Sequence, residues 1–506
     1  MFWSDRVAGT RRRQAAHEVS NHGGRGLLHP VRPDPVTAAQ SSPEASDSVA
    51  AASSPVARGP LGPRVETRPE GWRLVDRRGL LKAAGMAAVA APATSLLAAC
   101  GGGGSGGSGA RSVRIGMVSP RTGSLRLYSE VDAHVVETMR TIFKDGIRVG
   151  RSTLPVEIFV RDGQSDRNRA AAAATDLIFT DQVDVVLVGG TSDNANPVSD
   201  ACEANGVPCI STEAPWESWF YGRGGNVQAP FSWTYHFYWG MGDLRGAYTT
   251  MWGQLDVPRV VALLLPNDQD GATFSNGVFG LPALAQAGFR ILSDVPPYSV
   301  GERDFSAQIQ KIIDNDVEIV AGIPNPDDFA AFWRTLNDRN YLPKVVTMSK
   351  ALSFERDVEN LGATANGFTT EVSWSPKHQF RSYLTNRTAE ELASEYVDQT
   401  GRPWAPSLGF THALYEVLAQ ALVNVDSIDN ARGIADAIAR VKANTIVGTV
   451  TFGGAQNVPK NVGSIPLVGG QWRQQNNTFN LRVVANNGSN IAPDGPVEDL
   501  QTVQNR

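Results

Sequence analysis

The sequence predicts an α/β protein of two Rossmann-like lobes, each a parallel sheet flanked by helices, joined by a hinge. Three observations carry this. Short apolar runs alternate with amphipathic stretches from Arg111 onward, and the alternation restarts at Arg259 after an aromatic-rich interval. At 506 residues with 42% hydrophobic content, the chain is long enough to bury more than one core.

In the first lobe, SVRIGMVS (112–119) reads as a strand, YSEVDAHVVETMRTIFKDG (128–146) as an amphipathic helix and LPVEIFVRDG (154–163) as a strand. NRAAAAATDLIFTD (168–181) reads as a helix and VDVVLVGG (183–190) as a strand buried on both faces. NPVSDACEANG (196–206) is a helix closing on Gly206 ahead of the strand VPCIST (207–212). In the second lobe the strands are RVVALLLP, FRILSDVP, VEIVAGIP and PKVVTMS. They alternate with helices over ATFSNGVFGLPALAQAG (272–288), FSAQIQKIIDND (305–316) and PDDFAAFWRTLNDRN (326–340). GFTTEVSW (367–374) follows as a strand. Three helices come next, at 389–401, 406–425 and 430–443, before β-like Gly/Asn-rich segments around GTVTFGG and FNLRVVANNG. Lobe 1 is expected to hold 111–238 and 375–446, lobe 2 to hold 239–374 and 447–480, and 481–506 to form a tail.

Composition narrows the function. A net charge of -5 offers no basic field for nucleic acid, which is excluded as a partner. Three cysteines cannot build a disulfide scaffold, and neither they nor the seven histidines have metal-ligand spacing, so no metal and no cofactor is expected. Cys202 and Cys209 fall on a helix and the next strand, where simple burial is favoured over a disulfide. GGSGG (103–107) fits the G-x-S-x-G expression, but a glycine tether cannot supply the strained turn of a nucleophile elbow. Hydrolase activity is therefore the weakest alternative.

Ahead of the lobes, residues 1–70 are rich in Arg, Pro, Ser and Ala and are expected to be disordered, or to mark a start set too far upstream, with Val65 one candidate initiator. DRRGLLKAAGMAAVAAPATSLLAAC joins Arg77-Arg78 to a weakly apolar run ending in small residues, the organisation of an export signal over 71–100. The run is too short and too rich in alanine, with Pro92 inside it, for a permanent spanning helix. It resembles a twin-arginine leader, and Leu97-Ala98-Ala99-Cys100 resembles the lipobox of bacterial lipoproteins. That resemblance implies a lipid on Cys100 and a membrane anchor, with 101–110 a flexible Gly/Ser tether.

The stretch VRIGMVSPRTGSL to GVPCIST, with the Asp162-x-x-Ser165-Asp166 turn and the Gly189-Gly190 loop, resembles the first lobe of type I periplasmic binding proteins. The likeness is to the branched-chain amino acid-binding branch and extends more weakly to about Gly470. The resemblance implies the type I periplasmic binding protein fold and a monomeric, extracytoplasmic solute receptor. Its ligand would be a small polar molecule (amino acid, amide or aromatic acid) and its partners the permease and ATPase subunits of an ABC importer. A ligand-sensing lipoprotein coupled to a signalling partner would share fold and anchor and stays an alternative.

Ligands of open α/β sheets sit beyond the carboxyl ends of strands. The loops there offer Thr191 and Ser192 after VVLVGG and Ser211, Thr212 and Glu213 after VPCI, suited to a carboxylate or amino group; capping of helices is the competing use of the same hydroxyls. By resemblance these match family positions that hold a ligand's carboxylate and amino groups, and Tyr128 matches an aromatic lining position. In lobe 2 the chain departs from its relatives, with Asp270-Gly271 in place of an aromatic residue before glycine, Pro324-Asn325 at a contact position, and Ser349-Lys350 near a position that is acidic in amino acid binders. Asp268 or Asp270 is expected to receive an ammonium or amide group, the alternative being a turn bonded to its own backbone. Of the aromatic residues crowded into 214–240, most are expected in packing and Trp216 in ligand contact.

Overall fold

The computed structural model describes residues 111–454 and 458–505, all within one compact unit. The leader, Cys100 and the glycine tether lie outside the described residues. Seventeen strands form two principal sheets and two small hairpins among the described residues.

The first stretch of chain lays down β1 (Val113–Ser119), the hairpin β2 (Ile147–Val149) and β3 (Ser152–Leu154), then β4 (Val156–Asp162), β5 (Val185–Val188), β6 (Cys209–Thr212) and β7 (Thr234–Tyr238). Helices Asp132–Ile142, Arg167–Phe179 and Ser192–Asn205 connect them. Each boundary has a local cause. Asp166 accepts from the Arg169 amide at 2.9 Å to start the second helix, and Gly206, at φ 66°, ends the third in a left-handed conformation.

Trp239 and Gly240 lead into helix Met241–Trp252 and then β8 (Val260–Leu264), β9 (Arg290–Ile291), β10 (Ile319–Gly322), β11 (Val345–Met348) and β12 (Thr369–Val372). The single helix expected over 272–288 is broken. Helix Gln269–Phe274 stops, and a 3-10 run, Leu281–Ala287, follows. Asn276 is the reason: its side chain accepts from the Val278 amide at 2.9 Å and its carbonyl from the Gly280 amide at 2.8 Å, an Asx turn that competes with helix.

The chain returns to the first lobe through helices Ala389–Thr400, Pro406–Leu422 and Ala431–Arg440. Thr388 and Glu391 close the first of these with a reciprocal capping box. Pro406–Leu422 is apolar almost all round and is buried accordingly along nearly its whole length, against the same core as β1, β5 and β6. The hairpin β13 (Lys442–Thr445) and β14 (Gly448–Thr451) and the strand β15 (Val462–Ser464) follow, then β16 (Val468–Gln475) and β17 (Thr478–Ala485).

Sheet order is β15-β7-β6-β5-β1-β4 in lobe 1, parallel throughout, and β17-β16-β12-β11-β10-β8-β9 in lobe 2. The second sheet is parallel up to β12 and antiparallel at β12-β16-β17. This moves the last boundary away from the expected one. Residues 447–454 and 458–464 stay with lobe 1, because β15 pairs with β7 (Val462 opposite His236), and 481–485 are part of lobe 2 rather than a tail. Parity of the short strand Val462–Ser464, three residues amid Pro, Gly and Asn, gives no sequence cue to the sheet it joins. The chain thus crosses between lobes three times, at Trp239-Gly240, Ser373–Ser375 and Ile465–Leu467.

Separate apolar clusters fill the lobes. One runs through Ile115, Leu187, Phe237 and Leu418, another through Val320, Phe332, Val346 and Trp472. Cys202 and Cys209 are buried free thiols in lobe 1.

Candidate functional site

The lobe 1 strand order places a reversal at β1, whose neighbours β4 and β5 lead off in opposite directions. A crevice opens where loops beyond such neighbours part. The loops after β5 and β6 and the 3-10 turn Arg126–Ser129 meet the loops after β8, β10 and β11 from lobe 2. Between them lies a cavity of about 30 Å³ walled by Tyr128, Thr191, Glu213, Tyr238 and Trp239 from one side and by Asp270, Ile323, Ser349, Lys350 and Glu371 from the other. It continues into a space of about 20 Å³ that adds Phe354 and Ser407. One bound water needs roughly 10–15 Å³ on this measure, so the lobes stand nearly closed. A larger hollow, about 720 Å³, lies on the flank of lobe 2 against Leu263, Phe289 and Leu292. Lobe 1 contributes nothing to its wall, so hinge motion does not shape it.

The lobes are tied together by polar bonds at the cavity. Ser192 Oγ donates to Asp270 Oδ1 at 2.7 Å, and Lys350 Nζ lies 2.9 Å from Asp270 Oδ2 and 3.9 Å from Asp268 Oδ2. Asp270 and Lys350 are 2% and 4% exposed as side chains, so this is a buried ion pair. Burial works against ionisation of Asp270, but the Lys350 ammonium and the Ser192 hydroxyl outweigh it and hold the carboxyl below its ordinary range. Lys350 is likewise opposed by burial and, through Asp270 and Asp268, ends above the usual lysine range. Beyond the cavity, Ser218 Oγ donates to Thr273 Oγ1 at 2.8 Å, Tyr128 meets Phe354 edge-on at 4.8 Å, and Arg356 lies 3.1 Å from Glu130.

Two further carboxyls face the cavity. Glu213 accepts from the Gly190 amide at 2.9 Å. It comes so close to Gly189 that a Cβ there would lie 2.5 Å from its Oε2, so a side chain at 189 would push the carboxyl aside. Burial, only partly offset by the Ser407 hydroxyl and the Gly190 amide, pushes the Glu213 carboxyl up to about 7. Glu371 is also pushed up by burial; its hydrogen bonds from Tyr248 and Thr370 are long, 3.3 and 3.4 Å. Glu213 (φ 66°) and Lys350 (φ 56°) both hold left-handed backbone conformations that cost non-glycine residues energy, and such strain concentrates at functional sites.

The structure brings together Tyr128, Thr191, Glu213 and Asp270 on the cavity wall and Ser192 on Asp270. It places the other candidates elsewhere. Ser211 Oγ sits under the sheet, 2.9 Å from His236 Nδ1, and Thr212 Oγ1 donates to the Phe237 carbonyl at 2.7 Å. Their side chains lock β6 to β7 because alternate residues of a strand point to opposite faces. Trp216 packs with Ala195, Trp219 and Phe220 and does not border the cavity. Asn325 precedes helix Pro326–Asp338, half-buried and away from the cavity. Asp268 is a helix cap, accepting from the Gly271 amide at 2.8 Å, as the turn alternative anticipated. Glu371 and Tyr238 escaped the sequence reading. The available signal was an acid inside TTEVSW, a strand otherwise made of buried residues.

Among the described residues no cluster of His, Cys, Asp and Glu has the geometry to hold a metal, and no helix is long and apolar enough to cross a membrane.

A sequence profile of the periplasmic binding protein family matches residues 112–465, well over half of the chain. Solved structures share the fold. The leucine-binding protein LivK of Thermotoga maritima superposes with TM-score 0.60 at 17% identity, covering 74% of this chain and 99% of its own. The branched-chain amino acid transporter substrate-binding protein LivJ of Streptococcus pneumoniae, in complex with isoleucine, gives 0.58 at 14%, with 74% and 100% covered. A solute-binding protein of an ABC transporter from Rhodopseudomonas palustris, in complex with 3,4-dihydroxybenzoic acid, gives 0.57 at 15%, with 74% and 96% covered. Profile and two-lobed architecture agree: this chain belongs to the periplasmic binding protein family, with the type I fold of the leucine-binding proteins.

Proposed function

We propose that the chain is an extracytoplasmic solute receptor, held at the membrane by lipid on Cys100, that closes over a small polar molecule and delivers it to the permease and ATPase of an ABC importer. The observation that carries this reading is the polar cavity between two lobes that are linked by three crossovers and bonded across it, Ser192 to Asp270. A hinge of that kind converts ligand contacts into a population shift from open to closed, which a permease can read. Among the described residues of the wall no histidine faces a hydroxyl; Ser349 bonds the Glu371 carboxyl. Ser211 and His236 touch, but burial drives the His236 imidazole down to about 3, and its Nε2 faces the Ala214 carbonyl at 2.8 Å, under the sheet and away from the cavity. This favours binding over catalysis.

The test is small-angle scattering combined with a thermal-shift screen over amino acids, amides, urea-like compounds, organic cations and aromatic acids. A ligand that raises the melting temperature should also contract the scattering profile; a stabilising ligand that leaves the profile unchanged would sink the closure mechanism. In the full precursor, Cys100→Ala should move the protein from the membrane to the soluble fraction, and retention at the membrane would refute the anchor.

A further inference from the structure

Resting on the reading of this cleft as the ligand site, we propose that its ligand is a small organic cation, a guanidinium or protonated amine, that presents no carboxylate to lobe 1. Two of the groups suited to a ligand's carboxylate are already engaged by carboxylates of the chain itself. The Gly190 amide donates to Glu213 at 2.9 Å and the Ser192 hydroxyl to Asp270 at 2.7 Å. An incoming carboxylate would have to displace them and then lie against the ionised Asp270, a like-charge contact in a medium of low dielectric.

The charge on the wall points the same way. Glu213, Asp270 and Glu371 face one another across the cavity with Lys350 as the single basic residue of the wall. Lys350 is committed to Asp270, which leaves Glu213 and Glu371 without an ion-pair partner among the described residues. Buried carboxyls in that position are biased toward the neutral form and gain most from a cation that lets them ionise. The upward displacement of both groups by burial agrees with this.

Two other features fit the head of such a ligand. Thr191 Oγ1 is buried on the cavity wall with no hydrogen-bond partner, an oxygen able to accept from an N–H donor. Tyr128, Tyr238 and Trp239 stand in the same wall, and aromatic faces attract cations. The size, about 30 Å³ in this closed form, admits a head of a few heavy atoms.

Calorimetric titration of the purified chain at pH 8 with guanidinium, methylguanidinium and methylammonium, against leucine and benzoate, decides the matter. The cations should bind and the two carboxylates should not. Glu213→Gln and Glu371→Gln should each weaken cation binding tenfold or more without unfolding the unbound protein, since glutamine keeps the shape of the acid. Binding of leucine or benzoate without binding of the cations overturns the inference and leaves the receptor reading standing. If neither group binds and scattering stays unchanged with all five, the inference is overturned and the receptor reading loses its support. Cation binding that survives both glutamine substitutions also overturns it, because the carboxyls would then not be the recognising groups.

Discussion

The two faces of the cleft are built from the same kind of unit and behave differently. The lobe 1 face is a hydroxyl-rich loop after β5 whose donors are held from behind, by Glu213 on the Gly190 amide. The lobe 2 face carries Ser349 and Ser353 and projects the Asp270–Lys350 pair, which reaches over and captures Ser192. Residue type says what a side chain can bond; only its neighbours say whether that bond is already taken. Lobe 1 therefore supplies a preformed seat, whereas lobe 2 supplies the group that makes closure specific.

The comparison is broken most directly at the ion pair. Lys350→Met leaves Asp270 as an uncompensated buried carboxylate, a defect that costs about 3–5 kcal/mol in a closed interior. Opening the lobes relieves it, so the variant should shift to an expanded scattering profile, with urea stability falling by less than that amount. Adding Asp270→Ala should recover most of the loss, and a double variant as open as the single one would show that Lys350 acts by some route other than its partner.

The seat on lobe 1 is sharpened by pH. Glu213 holds its proton more tightly folded, with a pKa of about 7, than in the unfolded chain, where an ordinary glutamate titrates near 4.5. A raised acid stabilises the folded state fully below the lower value and loses that contribution as pH rises to the higher one, so stability should decline between about 4.5 and 7. The full shift corresponds to roughly 3 kcal/mol at most. Burial dominates, with Asp132 adding like charge and the Ser407 hydroxyl and Gly190 amide opposing; Tyr128 and Tyr238 face the same carboxyl and stay neutral throughout. Asp132 and Glu416 titrate in the same window, so the decisive quantity is the difference between wild type and Glu213→Gln. The variant should show the shallower decline, and identical pH profiles would mean Glu213 is solvated.

Two serines on successive loops of lobe 1 then separate cleft from scaffold. Ser192→Ala removes a cross-lobe bond to a charged acceptor, a loss of about 1.5–3 kcal/mol felt by the closed form alone, so affinity for any ligand should fall roughly tenfold or more with little change in urea midpoint. Ser211→Ala leaves His236 Nδ1 unpaired beneath the sheet, so it should lower the midpoint and spare affinity. Reversed outcomes would return Ser211 to the cleft.

These contrasts mark how much was legible in the sequence. The strand and helix alternation was, because periods of 2 and 3.6 and caps such as Asp166 and Thr388 act locally. The break at Asn276 and the sheet that Val462–Ser464 joins were not: one turns on a side chain competing for backbone amides, the other on pairing with a strand more than two hundred residues earlier. Within the site, Thr191 and Glu213 were legible from their place after strands, and Tyr128 from the family resemblance. Ser211 and Thr212 share that place, but their hydroxyls are spent on β7, on the His236 ring and the Phe237 carbonyl, a pairing that only the fold reveals. Lys350 was visible as a departure from relatives, yet its pairing with Asp270 joins loops eighty residues apart and needs the fold.

The smallest effect tests the lobe 2 boundary of the cleft. Asn325 sits at the start of helix Pro326–Asp338, the position where a side chain would normally cap the first amides, but it makes no such bond and does not border the cavity. Pro326 follows it directly at the first helical position, where its lack of an amide leaves one fewer unpaired donor at the helix start. Asn325→Ala should therefore shift stability by less than about 0.5 kcal/mol and leave affinity unchanged, against the roughly 1 kcal/mol of a working cap. A larger loss of affinity than of stability would place Asn325 against the ligand and extend the lobe 2 face beyond Asp270, Lys350 and Glu371, which would in turn enlarge the head group the closed cleft can hold.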